Sequence, residues 1–127
     1  MNIYEHRVRF NEVDAQAIVF NSHYLTWCDH AIYEYFRSNG WSPTQLKNLQ
    51  LDLVVRKVQI DYEKSAVLDD IVTFDLDIDR IGNSSLSVTF TLKVEAVKIV
   101  SVQITYVNVI DQKATAIPDE IRAYLLK

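Results

Sequence analysis

The chain is poor in the residues that make covalent staples, hinges and basic surfaces. Its 127 residues include one cysteine, Cys28, two glycines and two prolines. A lone cysteine closes no intrachain disulfide and nothing resembles a zinc-ligand set, so a reducing cytoplasm is the simplest compartment and no metal is expected. With so few glycines and prolines, no low-complexity tract and no repeat at a fixed period, the chain offers no flexible linker and no domain boundary. Basic residues are outnumbered, 13 Lys and Arg against 17 Asp and Glu for a net charge of -4. That balance argues against nucleic acid as a partner, because phosphate backbones call for a concentrated basic surface. No apolar run is long enough to span a bilayer, and the N-terminal MNIYEHRVRF alternates instead of forming a signal-peptide core. Neither membrane insertion nor export is expected.

What the chain has is apolar mass, 49% of its residues, enough for the core of one domain running over 1–127. Tyr4, His6, Val8 and Phe10 alternate with Glu5, Arg7 and Arg9, the pattern of a half-buried strand. From about Ser22 the period changes: Leu25, Cys28, Ile32, Tyr35 and Phe36 recur at helical spacing, and Asn39-Gly40 supplies a left-handed stop. SPTQL then offers Ser42 as an N-cap, Pro43 at the first helical position and Gln45 for a capping box, predicting a short second helix.

After Leu51 the period is mostly two. Val54, Val58, Ile60 and Tyr62 fall on one side of a strand. Val72, Phe74, Leu76 and Ile78 alternate with Asp75, Asp77 and Asp79, which read as a solvated face. Gly82-Asn83 marks a hairpin turn into Leu86–Val94, a further strand holds Val100, Val102, Ile104 and Tyr106, and Pro118 opens a C-terminal helix. The order predicts an α+β fold in which an antiparallel five-stranded sheet wraps its apolar face around one central helix. The start of that helix then lies near the sheet rim, where unpaired N–H groups and the positive end of the dipole can meet a developing oxyanion.

The segment FNEVDAQAIVFNSHYLTW, residues 10–27, places Asp14 on the loop that feeds this helix. A loop aspartate commonly caps a turn through its own side chain. A carboxylate one loop from a helix N-terminus also fits acid–base or nucleophilic work on an acyl group, and the sequence pattern allows either reading. Glu12, two residues earlier, reads as a structural ion pair or loop hydrogen bond, and Cys28 as a core residue on the buried stripe.

VRFNEVDAQAIVFNSHYLTWCD resembles the catalytic segment of the hotdog-fold acyl-CoA thioesterases related to 4-hydroxybenzoyl-CoA thioesterase. VQIDYEKSAVLDDIVTFDLDIDRIGNSSLSVTFTL is similar to the family's later strands, and AIPDEIR to its usual ending. Ala17 stands where many relatives carry glycine, and Asn21 where one subgroup has a histidine. The resemblance implies a hotdog fold and hydrolysis of an acyl-CoA to a carboxylic acid and coenzyme A without a cofactor. It makes Asp14 the general base or nucleophile and a backbone N–H near Asn21 the oxyanion donor, with Ser22 and His23 adjacent. It further implies a groove between the subunits of a homodimer or homotetramer. Val54 and Val55 would face the acyl group there, and Arg56, Lys57, Lys64, Arg80, Asn83 and Ser84 are candidates for the coenzyme's polar end. A noncatalytic acyl-CoA-binding module is the alternative, and it has no use for a carboxylate beside the helix start.

Overall fold

In the computed structural model, which describes residues 2–127, the elements are β1 (Asn2–Arg7), a 3-10 turn (Phe10–Glu12), α1 (His23–Arg37), α2 (Pro43–Asn48), β2 (Leu53–Tyr62), β3 (Ile71–Ile81), β4 (Ser85–Val94), β5 (Val97–Ile110), β6 (Lys113–Ala114) and α3 (Asp119–Leu125). The main sheet runs β1-β3-β4-β5-β2 with every pairing antiparallel, and the two-residue β6 pairs with β5 as a sixth strand. A pairing of two residues is too short to leave a periodic trace, which is why β6 is not legible in the sequence.

The centre of the fold is α1. Tyr24, Trp27, Cys28, Ala31, Ile32, Tyr35 and Phe36 are buried along one stripe of it, while Leu25, expected there, is half-buried at the stripe's margin. The sheet turns Val72, Phe74 and Leu76 of β3, Leu86, Val88, Phe90 and Leu92 of β4, and Val100, Val102, Ile104 and Tyr106 of β5 into the same core cluster. Trp27 lies edge-on to Phe74 across that interface, with ring centroids 6.4 Å apart. Each large side chain removed from water contributes about 1.5–3 kcal/mol before conformational entropy is set against it, so this helix–sheet layer dominates stability.

The helix punctuation is as the local chemistry dictates. Gly40 has φ of 84°, ending the α1 segment in the left-handed region. Ser42 Oγ accepts from Gln45 N at 3.2 Å, and Gln45 Oε1 accepts from Ser42 N at 2.7 Å, a complete capping box with Pro43 behind it.

Two face assignments change. Phe10 leaves the strand face for the 3-10 turn, where it is 81% exposed. In β2 a register shift between Val55 and Lys57 inserts a bulge at Arg56, so Val55, opposite Tyr106, shares the core-side face with Val58, Ile60 and Tyr62, while Val54 points to the outer face opposite Val107. One extra residue inverts side-chain direction in a strand, and period-two reading cannot see it. As a sheet edge, β2 is largely open to solvent, including Val54, Val55 and Tyr62.

Candidate active site

Between β1 and α1 the chain folds back on itself. Val13 and Val19 form an isolated antiparallel bridge, Phe20 N–H donates to Glu12 O at 3.0 Å, and Asp14 N–H donates to Ile18 O at 3.0 Å. The tip closes with Ala17 N–H on Asp14 O at 2.9 Å, and it requires φ of 64° at Ala17. Asp14 Oδ1 accepts from Gln16 N at 2.8 Å, so the turn-capping role is real. Its other carboxylate oxygen has no donor among the described residues and remains available.

The half-buried Asp14 lines a cleft of about 270 Å³ together with Ile18, Phe20, Asn21, Tyr24 and Tyr62, among others. The rim opposite Asp14 is the approach to α1. His23 N–H is taken by Phe20 O at 3.0 Å, whereas the backbone N–H groups of Asn21 and Ser22 meet no acceptor among the described residues. Asp14 and Asn21 therefore line one cleft, with Ser22 and the half-buried His23 following directly at the helix start; the His23 ring lies edge-on to Phe20 at 6.4 Å.

Glu12 turns away from this cleft. Its carboxylate accepts from Arg9 N at 2.7 Å, Trp27 Nε1 at 2.8 Å and His6 Nε2 at 2.8 Å. Burial works to raise its pKa, but the donors His6, Arg9 N–H and Trp27 outweigh it, and the net shift is below the ordinary carboxylate value. Cys28 is fully buried, and burial pushes its thiol up, away from a nucleophilic thiolate.

The other sequence candidates lie elsewhere in the chain. Val54, Val55 and Arg56 sit near the far end of β2, where Val54 is eight residues from Tyr62, roughly 27 Å along an extended strand. Asn83 and Ser84 are at that end too. Asn83 O accepts from Ile117 N at 2.8 Å and Arg122 Nη2 at 3.2 Å, and Ser84 O from Asn108 N at 2.7 Å. These carbonyls serve the β3–β4 turn, and neither residue lines the Asp14 cleft within one chain. Arg56, Lys57, Lys64 and Arg80 are exposed and form no ion pair among the described residues. Tyr24 and Tyr62 build the cleft wall, a role the sequence leaves open for its tyrosines, because an aromatic on a buried stripe and one on an alternating strand read first as core. No three His, Cys, Asp or Glu side chains converge on a metal-sized site among the described residues.

A curled antiparallel sheet around a central helix, with a carboxylate loop at the helix start, defines a hotdog protein. The Thioesterase superfamily matches residues 16–101, and the chain belongs to that family. It is a thioester hydrolase. Asp14 lies two residues before the matched span. The chain is 28% identical to the Acyl-CoA thioesterase YbgC of Haemophilus influenzae over 92% of this chain and 88% of that protein. It is 26% identical to a putative esterase of Aquifex aeolicus over 94% of this chain and 93% of that one. A Thermus thermophilus thioesterase solved with coenzyme A and Zn superposes with a TM-score of 0.84 at 22% identity, over 98% of this chain and 96% of that one, a likeness of fold.

Proposed function

We propose that the protein hydrolyses an acyl-CoA to the free carboxylic acid and coenzyme A, with Asp14 as the reacting carboxylate. One observation carries the reading: a carboxylate oxygen without a protein donor and a helix start with unaccepted N–H groups border one cleft. As general base, Asp14 takes a proton from water as the water oxygen attacks the thioester carbonyl. As nucleophile, it attacks that carbon itself, giving an anhydride that water then opens. Both routes raise negative charge on the former carbonyl oxygen, and the backbone N–H groups of Asn21 and Ser22, backed by the α1 dipole, are the donors for it. The bond that breaks is C–S. A thiol with pKa near 8.5 leaves as thiolate without a strong general acid, so neither a Ser-His-Asp triad nor a cofactor is required. Arg56, Lys57, Lys64 and Arg80 supply unpaired cations for the coenzyme's phosphates.

The working unit is an oligomer, a dimer or a pair of dimers. An open edge strand bearing Val54, Val55 and Tyr62 is an invitation to pairing. Twofold antiparallel pairing of β2 with a second β2 would run the strands in opposite directions and bring Val54, Val55 and Arg56 of one copy beside the Tyr62 end of the other. The two groups of candidate residues, far apart in one chain, then share a groove. A cytoplasmic location suits a coenzyme A substrate, and no helix among the described residues is long and apolar enough to cross a membrane.

The test is Asp14→Asn, which keeps size and the Gln16 turn contact but removes the anionic oxygen. Single-turnover thiol release on the best of an acyl-CoA panel should fall about 10²- to 10⁴-fold. Acyl-CoA affinity and the melting temperature should stay close to wild type. Near-wild-type hydrolysis, with stability alone reduced, would return Asp14 to the turn-cap role.

A further inference from the structure

Every side-chain hydrogen bond that joins residues 10–20 to the rest of the described chain ends on the carboxylate of Glu12. Its two oxygens are shared among three donors in a fixed pattern. Oε1 accepts from Arg9 N at 2.7 Å and His6 Nε2 at 2.8 Å, and Oε2 accepts from Trp27 Nε1 at 2.8 Å and again from His6 Nε2 at 3.1 Å. The donors come from β1, the segment after it, and the N-terminal part of the buried α1 stripe. His6 and Trp27 also pack against each other, ring centroids 4.4 Å apart and planes tilted by 34°, and both are buried, so packing restrains the two side-chain donors. Glu12 is itself only 11% exposed at the side chain. From this fixed point the main chain reaches Asp14 in two residues, and Glu12 O takes Phe20 N–H at the other leg of the loop.

We propose that Glu12 is the positioning residue of the catalytic loop, a pin that fixes the distance from Asp14 to the start of α1. The helix that presents the oxyanion donors is the same helix that holds the pin through Trp27. Acid and donors are thus referenced to one rigid body rather than to each other across a flexible loop. A misplacement on the order of 1 Å at a reacting group can cost about 10²-fold in rate. Without Glu12, the loop would keep its own internal hydrogen bonds and Val19 N–H on Ala66 O at 3.0 Å, but lose its side-chain link to α1. The inference rests on Asp14 as the reacting carboxylate.

Glu12→Gln tests it. An amide has one acceptor and one NH₂, while Arg9 N–H and Trp27 Nε1–H can only donate, so either flip turns a donor against a donor and opens one side of the pin. Glu12→Gln, Glu12→Asp, Trp27→Phe, the Glu12→Gln/Trp27→Phe double variant and Asp14→Asn are assayed at a temperature where each is folded by its own melting curve. For Glu12→Gln, kcat per folded molecule is expected to fall about 10- to 100-fold with KM within about threefold of wild type. The double variant should lose little more than the worse single one, since both cut the same link. Glu12→Asp, which keeps the charge, should recover part of the loss. If Asp14→Asn is inactive while the folded Glu12→Gln turns over within twofold of wild type and only melts earlier, Glu12 is a stability residue and the positioning role is overturned. Full multiplicative losses in the double variant overturn it too. If Asp14→Asn keeps wild-type turnover, the reading of Asp14 fails, and the role of Glu12 falls with it.

Discussion

Tyr62 Oη lies 3.2 Å from the carbonyl oxygen of Asn21, a hydrogen bond that ties the last residue of the open edge strand to the loop before the central helix. The Tyr62 ring lies edge-on to Tyr24 at 5.8 Å, and Tyr24 Oη in turn accepts from Ala66 N at 3.0 Å, so the phenol is held in place. The Asn21 carbonyl and the Ser22 N–H belong to one planar peptide unit. By donating to that carbonyl, Tyr62 orients and polarises one of the proposed oxyanion donors.

Tyr62→Phe keeps the ring and removes only this donor. A net hydrogen bond contributes about 0.5–1.5 kcal/mol, so kcat should drop about three- to tenfold. KM should barely move, and the melting temperature should fall by no more than the few degrees that one hydrogen bond is worth. A folded Tyr62→Phe enzyme with unchanged kcat would separate Tyr62 from the donors.

The same strand end predicts a coupling between assembly and turnover. If residues 54–56 of one copy complete the Asp14 cleft of another, activity and dimer should disappear together on dilution. Val55→Lys should reproduce that loss at high concentration, because an edge lysine opposes strand pairing. Sedimentation and thiol release on the same dilution series check this, and a fully active monomer would remove the shared groove.

Much of this architecture is legible in the sequence because burial imposes a period. The α1 stripe, the Ser42–Pro43–Gln45 cap and the alternation in β3, β4 and β5 all follow from side-chain direction and local hydrogen bonding. What escapes is whatever breaks a period by one residue or depends on contact across the chain. The bulge at Arg56 turned Val54 outward, the 3-10 turn took Phe10 off its strand, and the meeting of His6, Arg9, Glu12 and Trp27 needs two elements already packed. Asp14 could be singled out as a loop acid, but its free oxygen and its sharing of one cleft with Asn21 are facts of three-dimensional placement.

Ala17 makes a prediction of the opposite sign from most substitutions. It is exposed and holds φ of 64°, a region where an L side chain is strained and glycine is not. Ala17→Gly should therefore stabilise the protein by about 0.5–1 kcal/mol, the relief of strain exceeding glycine's added unfolded-state entropy. Ala17→Val should destabilise it by more than that, since β-branching crowds the same conformation. Denaturant midpoints of the two variants decide the matter, and a stability loss in Ala17→Gly would contradict the strain argument.

The part-buried Glu12 carboxylate also predicts an acid dependence, and its sign follows from competing causes. Burial alone would raise the pKa, but His6, Arg9 N–H and Trp27 donate to the ionised form and the folded-state value lies below the ordinary 4.5. The folded protein thus binds this proton less readily than the unfolded chain. By linkage, the stabilisation is fully present above the unfolded value of 4.5, and it is lost as pH falls through the lower folded value. Wild type should accordingly be more stable than Glu12→Gln at pH 7, with the gap narrowing only as pH falls below the unfolded value of 4.5. Other carboxylates titrate in the same range, but they are common to both proteins, so the difference between the two curves reports Glu12 together with its contact to His6. Urea midpoints at intervals from pH 7 to 3 measure it. A gap that stays constant to pH 3 would mean that the three donors do not favour the ionised carboxylate, and one that widens on acidification would reverse the assigned direction of the shift.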